Sequence, residues 1–161
     1  MEIINETLVI NTDEILEREY KENLSIKKIR IGKDVKTIGA EAFSMCANLE
    51  SIEVDENNQW FTSGNGCNAI IDKSGTLLVG CYKTVIPEFA TDIGPFAFCG
   101  QTKLQTVTIP SHIHRVGAFA FDGCSELVEL TIEKGVEQIG EYCFKNCINF
   151  ETINLPNTEI D

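Results

Sequence analysis

Ile38-Gly39-x-x-Ala42-Phe43-x-x-Cys46-x-x-Leu49-x-x-Ile52-x-Val54 is a pattern that this chain writes four times, and it decides the architecture. The other copies run from Ile93 to Ile109, from Val116 to Ile132 and from Ile139 to Leu155. Their aromatic anchors are Phe43, Phe98, Phe121 and Phe144, and the last three stand 23 residues apart. The same step taken back from Phe43 reaches Tyr20, with Ile15, Ile26, Ile29 and Ile31 at matching offsets, so a degenerate copy over about 8–31 opens the array. A unit of this length cannot bury its apolar face alone. Several must stack, each on its neighbour, into a solenoid.

Each unit has three parts. Alternation in Ser51-Ile52-Glu53-Val54, Thr106-Val107-Thr108-Ile109, Glu129-Leu130-Thr131-Ile132 and Thr152-Ile153-Asn154-Leu155 predicts a strand with one buried face. Stacked, these strands make a parallel sheet, and Pro110 and Pro156 end two of them because proline has no N–H to give a ladder. A second apolar pair follows, such as Ile113 with Val116 or Val136 with Ile139. Then comes Gly39, Gly94, Gly117 or Gly140, expected to permit a backbone bend that a side chain would hinder. The Ala-Phe-x-x-Cys-x-x-Leu stretch has apolar spacing near three and predicts a short helix or 3₁₀ turn whose Phe fills the coil. Leu8, seven residues before Ile15, predicts an entering strand at 7–10.

Phe43 and Phe98 are 55 residues apart, so one unit is expanded, over about 55–85. Its middle, Ala69-Ile70-Ile71-Asp72-Lys73-Ser74-Gly75-Thr76-Leu77-Leu78-Val79, predicts a β-hairpin with Gly75 in the left-handed position of its turn. The period is expected to resume at Ile86, seven residues before Ile93. At the other end, Pro156 to Asp161 follows a strand and precedes the next aromatic coil, which predicts an uncapped apolar end and possible homo-oligomerisation through it.

The units resemble the BspA-like leucine-rich repeat family, whose pattern runs Ile-Gly-x-x-Ala-Phe-x-x-Cys-x-x-Leu-x-x-Ile-x-Ile-Pro. The match is close over Val116 to Pro156 and Ile38 to Val54, and it departs at Tyr20 for Phe, Gln101 for Cys, Cys143 for Ala and Phe150 for Leu. Asn57-Asn58-x-Trp60-Phe61 followed by Asn68-Ala69-Ile70-Ile71-Asp72 is similar to hairpin-bearing repeats of such proteins in gut Bacteroides. The expected fold is therefore a single α/β repeat domain over 1–161. It is a right-handed leucine-rich-repeat solenoid with a parallel β-sheet on one face, short helical or 3₁₀ turns opposite, and one hairpin insert. The resemblance implies an interaction or adhesion protein, often on microbial surfaces, with no shared catalytic residue and no cofactor.

A net charge of −12 opposes nucleic-acid binding, which needs a basic footprint, and opposes anionic membrane surfaces. No stretch approaches the ~20 apolar residues of a membrane span. The first residues lack the basic and apolar regions of a leader, which predicts either a cytoplasmic protein or a surface protein whose leader has been removed. The seven cysteines include no C-x-x-C pair. Cys46, Cys124 and Cys147 share one repeat position and are expected to be buried thiols, which behave as small hydrophobes. His112 and His114 would share a face of an extended segment, but no further ligand is placed beside them, so no metal is expected.

What remains is the outward face of the strands: Lys28 and Arg30, Ser51 and Glu53, Thr106 and Thr108, Glu129 and Thr131, Thr152 and Asn154. Solenoids commonly bind protein partners on such faces, and a plain solvated sheet would look the same. Trp60 and Phe61 on the insert could anchor a partner or cover the joint between hairpin and solenoid. A structural spacer in a larger assembly and a carbohydrate binder are the alternative roles.

Overall fold

A computed structural model of the chain describes residues 3–156. It is built from short strands: β1 (Ile3–Ile4), β2 (Thr7–Ile10), β3 (Glu14–Ile15), β4 (Lys28–Ile31), β5 (Thr37–Ile38), β6 (Ser51–Val54), β7 (Phe61–Thr62), β8 (Ala69–Asp72), β9 (Thr76–Gly80), β10 (Asp92–Ile93), β11 (Thr106–Ile109), β12 (Arg115–Val116), β13 (Glu129–Ile132), β14 (Gln138–Ile139) and β15 (Thr152–Asn154). The four-residue strands β2, β4, β6, β11 and β13 carry the predicted alternation, as in Lys28–Ile31, where Ile29 and Ile31 are buried and Lys28 and Arg30 exposed. They stack parallel and in register, Leu8 on Ile29 on Ile52 and, further along, Val107 on Leu130 on Ile153. The two-residue strands after them make further parallel ladders, β3 on β5 and β10 on β12 on β14. At the start, β1 turns back antiparallel on β2 and covers its free edge.

The expected helical turns are absent among the described residues, so the fold is a parallel β-solenoid rather than α/β. The backbone of the Phe segment explains why. Left-handed φ recurs at Arg18 and Glu22, Glu41 and Met45, Phe96 and Gly100, Phe119 and Gly123, and Tyr142 and Asn146. A left-handed residue every fourth position ends a helix before it propagates. The N–H groups therefore alternate in direction. Those of Ala120, Asp122 and Cys124 close tight turns onto Gly117, Phe119 and Phe121, while those of Phe119, Phe121 and Gly123 reach along the solenoid to Glu141, Cys143 and Lys145 of the next coil. Three such rungs also join the coil at 96–100 to that at 118–122, and the coil at 18–22 to that at 40–44. Inside, the rings of Phe98, Phe121 and Phe144 stack at 4.9 and 5.4 Å, and Tyr20 stacks on Phe43 at 5.5 Å.

The repeat glycines stand where a side chain would be hindered by the neighbouring coil, and not because of an unusual φ. None of Gly39, Gly94, Gly117 and Gly140 has a left-handed φ. A Cβ at Gly117 would stand 2.4 Å from the nitrogen of Pro95 in the preceding coil, closer than atoms approach. The coil spacing itself excludes a side chain there.

The hairpin forms as β8 and β9, with Gly75 at φ +88° in the turn between them. Its effect on the stack is larger than the sequence suggests. β9 continues the ladder of two-residue strands by pairing with β10, and β7 adds to the far edge of β8. The main ladder stops instead. β6 ends a four-stranded sheet, β11 begins a three-stranded one, and no strand forms at 83–86, where the period was expected to resume. The core divides with the sheet. Ile70, Val79 and Phe61 pack with the first half, and Ala69, Ile71 and Leu77 with the second. Because β8 alternates between two apolar sides, it is buried on both, like a strand inside a parallel sheet.

Candidate functional site

The outward residues of the main strands line up in two rows by their pairing. One runs Thr7, Lys28, Ser51 and, across the break, Thr106, Glu129, Thr152; the other runs Val9, Arg30, Glu53 and Thr108, Thr131, Asn154. The ten sheet residues singled out from the sequence thus fall into two groups rather than one unbroken face. Thr7 and Val9, on the entering strand, complete the rows and were not singled out, although the offset from Lys28 and Arg30 points to them. Hydrogen bonds run both within and between the rows. Arg30 Nε donates to Glu53 Oε2 at 2.9 Å and Asn154 Nδ2 to Thr131 Oγ1 at 3.2 Å within the second row, and Asn154 Nδ2 also donates to Glu129 Oε1 of the first at 2.8 Å. Thr106 and Thr108 are exposed, and no side-chain hydrogen bond engages them among the described residues.

The insert aromatics separate. Phe61 is buried in the first core, while Trp60 is 38 % exposed with Lys36 Nζ 5.9 Å from its ring centroid. The residue that fixes both is Asn58, buried, whose Oδ1 accepts the N–H of Trp60 and of Phe61 at 2.8 Å and whose Nδ2 donates to the carbonyls of Gly32 and Val35. A buried amide that satisfies all of its groups locks a loop against the coil.

At the break the two strand edges differ. Ser63 Oγ accepts the N–H of Val54 at 3.1 Å and Asn68 Oδ1 that of Ile52 at 3.5 Å, so side chains take the place of the missing strand on β6. On the aromatic side of the same junction one rung remains, Met45 N–H to Cys99 carbonyl at 2.8 Å, because Gly80 N–H takes the Ala97 carbonyl. The coils splay there around a cavity of about 480 Å³ walled by Phe43, Leu78, Val79 and Phe96.

All seven cysteines are thiols, six of them buried and Cys147 half-buried. Those at the repeat position donate back to the aromatic residue of an earlier coil, Cys46 to Tyr20, Cys124 to Phe98 and Cys147 to Phe121, at 3.1 to 3.3 Å. Burial pushes the Cys46 thiol up to about 11 and those of Cys99 and Cys143 up to about 12, so they are poor nucleophiles at neutral pH. His112 is half-buried and His114 exposed, and no group of three His, Cys, Asp or Glu side chains occurs among the described residues in a ligand arrangement.

The family model described as BspA type leucine rich repeat region matches six copies in this chain, over residues 4–67 and 80–161. Among solved structures, a leucine-rich repeat protein from Eubacterium ventriosum is similar at 30% identity and a TM-score of 0.70, over 81% of this chain and 36% of its own. The pneumococcal vaccine antigen PcpA is similar at 25% identity and a TM-score of 0.54, over 83% and 28%. A leucine-rich repeat protein of T. pallidum shares the fold at 18% identity and a TM-score of 0.50, over 91% and 57%. The chain spans about a third of the length of the first two. No curated protein matches it.

Proposed function

Because the chain belongs to the BspA-type leucine-rich repeat family, we propose that it is a non-enzymatic protein-interaction module that presents the polar face of its strands to a protein partner. Proteins of this repeat class are commonly surface or interaction modules and generally not enzymes. The observation that carries the reading is the pair of outward rows, where Thr106 and Thr108 and, beside them, Glu129 stand exposed on a rigid ladder. Rigid presentation lowers the ordering cost of binding. Family members are often surface proteins, which makes a microbial cell surface the location to test; no helix among the described residues is long and apolar enough to cross a membrane.

Charge reversal tests the face. Glu53→Lys with Glu129→Lys changes the rows without touching a buried position, and each exposed substitution shifts stability by within about 0.5 kcal/mol. Glu137→Lys with Glu141→Lys, both exposed and away from these strands, is the control. In affinity capture from host and bacterial cell extracts, the first pair weakens retention of the partner and the control pair does not. Equal effects would reduce the interaction to bulk charge. A loss confined to Trp60→Ala would move the site to the insert.

A second reading, a spacer that joins copies or coils in an assembly, is favoured by the last described coil, where Ile139, Ile148, Ile153 and Leu155 are exposed. Residues 157–161, on which the expected uncapped end partly rests, lie outside the described residues. Light scattering tests self-association through this surface: Ile148→Lys with Ile153→Lys would dissolve an oligomer formed by it.

A further inference from the structure

The break in the main ladder leaves one strand edge protected and the other bare. β6 has Ser63 and Asn68 over its amides. On β11 the N–H groups that face the break are those of Thr106 and Thr108, as the equivalent N–H of Glu129 faces Gln105 and that of Ser51 faces Lys27. Neither is hydrogen-bonded among the described residues. Residues 83–86 stand one period before Thr106–Ile109 and so occupy the place of the missing strand, yet they form none, and the Val85 N–H is turned away to the Cys67 carbonyl at 3.0 Å. Between them and β11 lies a cleft of about 300 Å³ floored by Phe98, Leu104 and Val107. The core opens here. Leu104 and Val107 are 8 % exposed, whereas Leu127 and Leu130, one coil later, are at 0 %. Val85, on the lip, is 70 % exposed.

We propose that this break is the binding site for an extended polypeptide segment of a partner protein, which adds to the bare edge of β11 as a strand and lays an apolar side chain in the cleft over Leu104 and Val107. The proposal rests on the interaction-module reading and gives it a mode of recognition. Two outward amides two residues apart need two carbonyls about 6.6 Å apart, the spacing of alternate residues in a strand. An extended backbone supplies them together with side chains that alternate between cleft and solvent. Every other junction of these strands is filled in this way by the chain itself. The net charge of −12, with Glu129 beside Thr106 in the row, selects a segment that is neutral or cationic.

Amide hydrogen exchange read by NMR on the whole chain tests this, with the capped peptide acetyl-Lys-Thr-Val-Thr-Ile-Thr-Lys-amide as probe. In the free protein the Thr106 and Thr108 amides exchange fast while those of Glu129 and Thr131 are protected. With the site nine-tenths occupied by the probe, the first two slow by about tenfold. Thr108→Pro removes one outward donor and no ladder bond, a change that an edge strand accepts. It keeps the circular dichroism spectrum and weakens probe binding, whereas Thr131→Val does not weaken it. Protection of Thr106 and Thr108 in the free protein would overturn the proposal, because residues 83–86 would then close the edge. So would a probe that leaves both amides unchanged, or binding indifferent to Thr108→Pro in a folded variant. If a captured protein partner is lost with Glu53→Lys and Glu129→Lys but retained with Thr108→Pro, the face binds and the edge does not.

Discussion

Phe121 shows how a single residue carries a coil. It is fully buried, its ring lies between those of Phe98 and Phe144, and its carbonyl accepts the Cys147 thiol at 3.3 Å. Phe121→Ala therefore empties the centre of one coil and removes a face from each adjoining ring. The expected loss is about 3–5 kcal/mol, as for other buried Phe truncations, read as a lower midpoint in urea. An unchanged midpoint would mean that the ring register is wrong. The ion pairs set a different dependence. Glu41 accepts from Arg18 at 2.6 Å and from Lys21, and the Arg18 hydrogen bond, foremost, holds its carboxyl below the usual value of 4.5. Arg115 holds Asp92 below 3.8 in the same way. A depressed folded value means that the folded state binds fewer protons than the unfolded one. The stabilisation is then present above the unfolded value and lost as pH falls through the folded one. Stability should decline as pH drops below about 4.5, and Glu41→Gln should make that decline shallower. A decline of the same steepness in the variant would show that other carboxylates set it.

At the scale of the element, the strands were legible and the turns were not, for a physical reason. Alternation with period two has one structural meaning, so Ser51–Val54, Thr106–Ile109 and Glu129–Ile132 fall where the pattern puts them, and the last predicted strand differs by ending at Asn154. Apolar spacing near three is shared by a 3₁₀ turn and by a coil with alternating left-handed residues. A partial clue that separates them is the position before the repeat cysteine or its Gln101 counterpart, which reads Met45, Gly100, Gly123 and Asn146; all four are left-handed, and the last three are residue types that tolerate positive φ. Glu41, Phe96, Phe119 and Tyr142 hold the other left-handed position, and nothing in their chemistry announces it. The rows of outward residues were legible by the same alternation. The break that divides them was not, because it depends on Ser63 and Asn68 reaching across to β6 from a loop. That a side chain would be hindered at the repeat glycine was legible; what hinders it, the backbone of the preceding coil, was not, and it makes a prediction. Gly117→Ala forces a Cβ into backbone 2.4 Å away and should cost about 1–3 kcal/mol, the usual range for overpacking. At Gly94 the nearest atom is the Leu77 carbonyl oxygen at 3.1 Å, so Gly94→Ala should cost less in the same denaturation assay. Equal losses would return the explanation to backbone freedom.

Across the whole molecule, the hairpin acts as a wall between two half-solenoids, with Ile70 facing one core and Ile71 the other. In a stack where coils touch only neighbours, this wall carries the cooperativity from one half to the other. Ile70→Ala with Ile71→Ala should uncouple them. The single tryptophan, Trp60, reports on the insert and circular dichroism on both halves. The two urea transitions coincide in the parent chain and separate in the double variant; coincidence in both would mean that the halves communicate elsewhere. The rungs between coils have a further consequence. The N–H of Phe98 donates to the Ala120 carbonyl, and the next peptide, through the N–H of Phe121, donates to that of Cys143. Parallel files run beside it from Phe96 through Phe119 and from Gly100 through Gly123. Peptide dipoles aligned in such files add up as they do along an α-helix. Here, however, the resulting field runs across the coils, with its positive pole at the amides of Tyr142, Phe144 and Asn146. On a protein of net charge −12 that end is a local electropositive pole, so the stack is electrically directional from one end to the other.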